Sequence, residues 1–135
     1  MLQFREIVRS QEVTPLPRAP ELIEGVIDLR GVVVPVIDLG HVLCGEQSED
    51  RPGSRIAILE VDGMVVGLRV DAAVDVLGVD AGDVNAPPAL ATHAGYDKVR
   101  AVVRRADAPP VLVLSLENIL ESVYRSALTQ GGAEA

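Results

Sequence analysis

The sequence predicts a mostly β fold, and three features carry that expectation. Aromatic residues make up 2% and hydrophobic residues 48% of the 135-residue chain. A valine-rich, aromatic-poor core of this kind is built from β-branched side chains, which suit pleated, half-buried strands. Those side chains also fall in paired runs separated by turn-forming residues: 26–29 and 32–37 around Arg30-Gly31, 55–61 and 64–70 around Asp62-Gly63, and 99–103 and 111–114 around residues 107–110. Finally, only the C-terminal stretch carries a clear helical stripe, formed by Leu116, Ile119, Leu120, Val123, Tyr124 and Leu128.

Taken in order, residues 1–10 read as extended, with Leu2, Phe4, Ile7 and Val8 as the apolar positions. Thr14-Pro15-Leu16-Pro17 and Pro20 then restrict several φ angles and give a stiff connector that positions the next element. Residues 21–24 are expected to make one helical turn, with Pro20 tolerated at its start and Gly25 able to end it. In the first hairpin Gly31 permits the reversal, and Pro35, lacking a backbone donor, marks the second strand as a sheet edge or a bulge. Asp38 stands where it can cap a short helix over 39–43, ahead of a polar loop over 45–53. Asp62-Gly63 is the strongest hairpin signal, because both residues tolerate the positive φ of a type I′ turn. Residues 71–79 read as a further strand and 80–93 as a connecting loop. Ser115 caps the last helix, Glu117 lies in its first turn, and Gly131-Gly132 is expected to end it, leaving 131–135 as a disordered tail. The order strand, capping residue, short helix over 36–43 recurs over 113–120, preceded by strands that carry Arg30 and Arg104 near their ends. Two related β subdomains within one domain over 1–130 would produce this echo, as would chance likeness between valine-rich hairpins.

Composition excludes several function classes. With 20 acids against 12 bases, the net charge of −8 repels phosphate backbones and anionic lipid surfaces, so nucleic acid is not expected; Asp28, Arg30, Asp38, Glu60, Arg69 and Asp71 interrupt the apolar runs before the length a membrane span needs, so membrane insertion is not expected either. One cysteine, Cys44, cannot form an internal disulfide, and no secretory leader opens the chain, which reads as a cytoplasmic protein. His41 and Cys44 are three apart, but no further ligands stand at metal-site spacing. His93 has no obvious acid or cysteine partner near it. Ser10, Ser48, Ser54, Ser115, Ser122 and Ser126 lack the glycines of a nucleophile elbow. Asp71 with Asp75, and Asp80 with Asp83, could be carboxylate pairs or oxygen ligands for a cation, yet solvated turn residues explain them better. No glycine-rich phosphate loop joins a strand to a helix, and no cofactor or metal is implied. A small β-barrel enzyme using Asp71, Asp75 or His93 is therefore the weaker alternative to a non-catalytic protein. Arg30 has two readings: a surface ion pair of little energetic weight, or the anchor of a protein interface, where the planar guanidinium satisfies several acceptors at once.

Three segments bear on that choice by resemblance. Thr14-Pro15-Leu16-Pro17-Arg18-Ala19-Pro20, Gly25-Val26-Ile27-Asp28-Leu29-Arg30-Gly31 and Pro35-Val36-Ile37-Asp38-Leu39 resemble the signature of CheW-type chemotaxis coupling domains, with Val65-Val66-Gly67, Val70-Asp71 and residues 111–120 fitting the later family segments. The likeness covers nearly the whole chain. It implies two intertwined five-stranded SH3-like β-barrels with short helices and a C-terminal helix. The implied role is a scaffold that couples methyl-accepting chemoreceptor tips to the regulatory domain of a CheA-type histidine kinase. It also implies interface roles for Phe4, Glu6, Ile7, Gly25 and Arg30, and more weakly for Val36 and Val65. Asp28 stands where the family more often has asparagine, so that it either holds Arg30 in place or weakens an acidic contact. Family members usually carry two further strands before the segment matching Phe4-Arg5-Glu6-Ile7. The resemblance thus implies a first barrel short of strands, completed by a second copy in a homo-oligomer or strand-swapped dimer, or else a start placed too late. A degenerate relative that self-associates or sequesters kinase without receptor coupling is the alternative function.

Overall fold

Each of the three turn signals closes an antiparallel hairpin. The computed structural model describes residues 2–47, 52–73, 78–87 and 98–134, with side chains through Arg125. Its strands are β1 (Leu2–Arg9), β2 (Ile23–Leu29), β3 (Val32–Asp38), β4 (Arg55–Val61), β5 (Met64–Val70), β6 (Val84–Asn85), β7 (Val99–Val103) and β8 (Val111–Leu114); its helices are α1 (Leu39–Cys44) and α2 (Leu116–Glu134). The chain divides into two units, one made of residues 1–74 with 122–135 and the other of residues 75–121. The first unit is thus discontinuous in sequence.

In the first unit five strands form one sheet in the order β1-β4-β5-β3-β2. All neighbours run antiparallel except β3 and β5, which pair in parallel through Val36, Ile37 and Asp38 against Gly67, Leu68 and Arg69. The β4–β5 hairpin pairs without a slip from Arg55↔Val70 to Val61↔Met64, and Asp62 and Gly63 adopt φ of 49° and 84° as a type I′ turn demands. Alternation along the strands sends Ile27, Val34, Val36, Ile56 and Ile58 into one buried cluster, against which Val8, Val13, Leu29 and Val65 pack. Gly67 shares that face, and a Cβ there would stand 2.9 Å from Ile56 Cγ2 and 3.5 Å from Val36 Cγ2. Its missing side chain is what lets the two branched residues meet over β5. The same face also carries Arg69, which is 2% exposed. Arg69 Nε donates to Glu24 Oε2 at 2.7 Å and Nη2 to Asp38 Oδ2 at 3.2 Å, while Asp38 Oδ1 accepts from His41 N at 3.3 Å and so caps α1.

The second unit contains a three-stranded sheet, β6-β7-β8. Val102 and Val103 pair with Leu112 and Val111 on one side and with Asn85 and Val84 on the other. The strand, cap and helix echo is present in both units. Asn118 N donates to Ser115 Oγ at 3.3 Å as α2 begins, matching the role of Asp38 at α1.

Several expectations need correction. Residues 21–24 do not form a helical turn: Ile23 N donates to Pro20 O at 2.9 Å in a tight turn, and β2 has already begun at Ile23. Four residues cannot repay helix nucleation when a neighbouring strand offers a ladder. Strand β3 is not an edge, since it lies between β2 and β5; Pro35 is tolerated because the parallel pairing starts one residue later, and the bulge falls on β2 between Ile23 and Gly25. No strand occurs in the described part of 71–79, whose residues 74–77 lie outside the described residues. Within 80–93, Ala81–Asp83 forms a 3₁₀ turn and Val84–Asn85 a short strand on the edge of β7. His93, Asp75 and Ser48 lie outside the described residues. Helix α2 does not end at Gly131-Gly132 but passes through them to Glu134; glycine weakens a helix by about 1 kcal/mol without forbidding it. The first sheet has five strands, and the second has three among the described residues.

Candidate functional site at the seam of the first sheet

Strands β1 and β2 stand at opposite ends of the five-stranded order, with no ladder between them among the described residues. Among the described residues one ion pair spans this seam. Arg30, at the tip of the β2–β3 hairpin, donates from Nη2 to Glu6 Oε2 on β1. The turn that presents Arg30 is braced by Asp28, whose Oδ1 accepts from Gly31 N at 2.8 Å. Asp28 therefore shapes the backbone of the turn rather than holding the guanidinium. Arg30 has φ of 50° and Gly31 of 87°, so a β-substituted residue occupies a left-handed conformation that costs about 1–2 kcal/mol. Such cost is met by the hairpin ladder and the Asp28 bond, and residues held this way concentrate at working sites.

Below the pair lies a groove of about 220 Å³, lined by Leu29, Val32, Val34, Ile58 and Val65 and rimmed by Arg5, Glu6 and Arg30. Arg5 adds a second ion pair, donating from Nε to Glu60 Oε2 at 2.7 Å and from Nη2 to the same oxygen. A β-bulge between Phe4 and Glu6 makes this possible, because it inserts Arg5 without a partner on β4. Both pairs are substantially exposed, so water screens them and each contributes about 0.2–1 kcal/mol to stability. Val34 and Ile58 are fully covered, so Leu29, Val32 and Val65 form the apolar surface that can receive a side chain, while the arginines at its lip can exchange intramolecular carboxylates for those of a partner.

The residues singled out in the sequence separate into three groups. Glu6, Arg30 and Val65 meet at this groove. Phe4 and Ile7, 55% and 47% exposed, pair opposite Leu59 and Ala57 on the other face of β1. Val36, 0% exposed, and Gly25 lie inside the fold. A Cβ on Gly25 would fall 2.2 Å from Thr14 O and 2.8 Å from Val13 Cγ1, and Thr14 and Val26 exchange backbone bonds of 2.8 and 2.9 Å there. The glycine is needed so that the proline-rich connector can lie against β2. Sequence reasoning missed Arg5, Glu60, Leu29, Val32, Val34 and Ile58. The signal for Arg5 was weak, since a bulge leaves no composition mark. Arg69 did leave one: it continues the inward parity of Val65 and Gly67, where a charge is anomalous unless paired.

Among the described residues no group of three or more His, Cys, Asp or Glu side chains is placed to hold a metal ion. His41 Nε2 lies 3.5 Å from Glu21 Oε1, and Cys44 is exposed. No helix among the described residues is long and apolar enough to cross a membrane.

A family profile described as the CheW-like domain matches residues 1–124. The chain belongs to the CheW-like family. Relatives include a chemotaxis protein CheW of Rhizobium meliloti, 32% identical over 127 residues that cover 94% of this chain and 81% of the relative. Another is a chemotaxis protein CheW of Treponema pallidum, 30% identical over 126 residues covering 90% and 74% of the two chains. Among solved structures, that of the scaffolding protein TtCheW from Thermoanaerobacter tengcongensis superposes with a TM-score of 0.75 at 31% identity, covering 88% of this chain and 80% of that one. The mostly β architecture of two sheets and few helices is that of the CheW-like fold.

Proposed function

We propose that this CheW-like chain is a non-catalytic adaptor that couples methyl-accepting chemoreceptors to the regulatory domain of a CheA-type histidine kinase, acting in the cytoplasm. The observation that carries the reading is the seam groove, where a braced, left-handed turn offers Arg30 over an apolar floor. It is built to dock a protein side chain. Family membership over residues 1–124 supports the same reading. Phe4, Glu6, Ile7, Arg30 and Val65 supply contacts in this proposal; Gly25 and Val36 support them from inside by keeping the connector and β3 in place.

Calorimetric titration of the full chain against a CheA regulatory domain and a receptor-tip fragment tests the proposal. Binding of wild type to at least one is the expected result, and absence of binding to both overturns it. The exposed apolar side chains of Phe4 and Ile7 on an end strand favour a second reading, self-association through β1. Concentration-independent monomeric sedimentation at micromolar protein excludes that one.

A further inference from the structure

The connector between β1 and β2 contains a second arginine in a left-handed conformation. Pro17 and Arg18 are the central residues of a turn closed by Ala19 N donating to Leu16 O at 3.3 Å, and Arg18 has φ of 59°. Proline followed by a positive φ is the type II arrangement, whose third position normally holds glycine or asparagine because a Cβ crowds the backbone there. Arginine makes this turn less stable than glycine would. No packing explains it, since Arg18 is exposed and its guanidinium has no hydrogen-bond or ion-pair partner among the described residues. The nearest acid in sequence, Glu21, lies against His41 instead. Beside Arg18 on the same turn, Leu16 is 44% exposed. The turn is also held rigidly: its approach is tied to β2 by the Thr14–Val26 bonds, and Pro15, Pro17 and Pro20 restrict the backbone through it. A side chain mounted on so stiff a base loses little entropy on binding.

We propose that the Leu16–Arg18 turn is a docking anchor separate from the seam groove, inserting into an acidic pocket with an apolar lip on a protein partner. The occupant follows from charge. A guanidinium fork pairs bidentately with a carboxylate, and a chain of net charge −8 is repelled far more by an extended anionic lipid surface than by the few acids of one protein pocket. For the identity of the partner the inference rests on the coupling function proposed above.

Full-length wild type, Arg18→Gly, Arg18→Lys and Arg18→Glu are compared by thermal melting and by calorimetry against the CheA regulatory domain and the receptor-tip fragment. Arg18→Gly melts at or above the wild-type temperature yet binds one of the two partners about tenfold more weakly. Arg18→Glu binds that partner more weakly still, and Arg18→Lys loses only part of the affinity because it keeps the charge without the fork. Unchanged affinity of Arg18→Gly and Arg18→Glu for a partner that wild type binds overturns the anchor and leaves the coupling function standing. A lower melting temperature for Arg18→Gly overturns it too, by giving the arginine a folding role. Flotation of wild type, but not Arg18→Glu, with phosphatidylserine vesicles would replace the protein pocket with a lipid surface. If wild type binds neither partner, the coupling function fails first and the anchor with it.

Discussion

Arg69 and Arg30 sit on the same five-stranded sheet, and each faces carboxylates. Arg69 is enclosed, paired with both Glu24 and Asp38, and through Asp38 it reaches the capped start of α1. Arg30 stands at a hairpin tip with its one partner, Glu6, across an open seam. Identical side chains therefore sit in opposite environments, and burial decides which of them can exchange its partner. Away from water a guanidinium cannot give up its carboxylates without leaving charges stranded, so Arg69 ties β2, β3, β5 and α1 together. Near water the exchange is almost free, so Arg30 can leave Glu6 for a partner's acid.

Substitutions rank by how far they disturb this division. Arg69→Ala has the largest effect: two carboxylates lose their cation in a buried site, and urea denaturation should register a loss of about 3–5 kcal/mol. A loss below about 1 kcal/mol would mean that water reaches the site and that the two arginines do not differ in kind. Gly25→Ala comes next, costing about 1–3 kcal/mol because a backbone oxygen, which cannot swing aside, occupies the Cβ position. Faster proteolysis within residues 10–22 should accompany it as the connector lifts from β2. Arg30→Ala should barely move the melting curve, yet weaken binding to kinase or receptor fragment by about 1–2 kcal/mol, roughly five- to thirtyfold. Wild-type affinity in that variant would remove Arg30 from the interface while leaving the fold account intact. Asp28→Ala loses only the bond to Gly31 N, about 0.5–1.5 kcal/mol in stability. Its binding loss should be smaller than that of Arg30→Ala, because the turn loosens without losing its guanidinium. Smallest is the Glu6–Arg30 coupling in a double-mutant cycle, about 0.2–1 kcal/mol and shrinking with added salt.

Much of the fold was legible because it is local. Asp62-Gly63 and Arg30-Gly31 announce their hairpins through residues that tolerate positive φ, and Asp38 and Ser115 announce helix starts by capping chemistry. Errors arose where neighbours in space overrode neighbours in sequence. Pro35 has the chemistry of an edge marker, but β5 joins β3 only from Val36 onward. Residues 21–24 have the flanks of a helical turn, but β2 claims Ile23 and Glu24. The site was less legible than the fold. Glu6 and Arg30, 24 positions apart, both stand out in the sequence, but nothing in their local context shows that they touch. Val36 and Gly25 carried a family likeness to contact positions, and their burial was hidden.

By itself, the amino-acid sequence determined the β class, the three hairpins, the two capped helices and the family, since alternation, turn chemistry and spaced motifs are properties of short segments. Only the tertiary structure decided which arginine is enclosed and which is exposed. That choice depends on how the strands are ordered and how the sheet brings its two end strands close enough for one ion pair to span them. It also showed that Arg18 occupies a turn position better suited to glycine, because conformational strain belongs to the folded backbone and leaves no mark in composition.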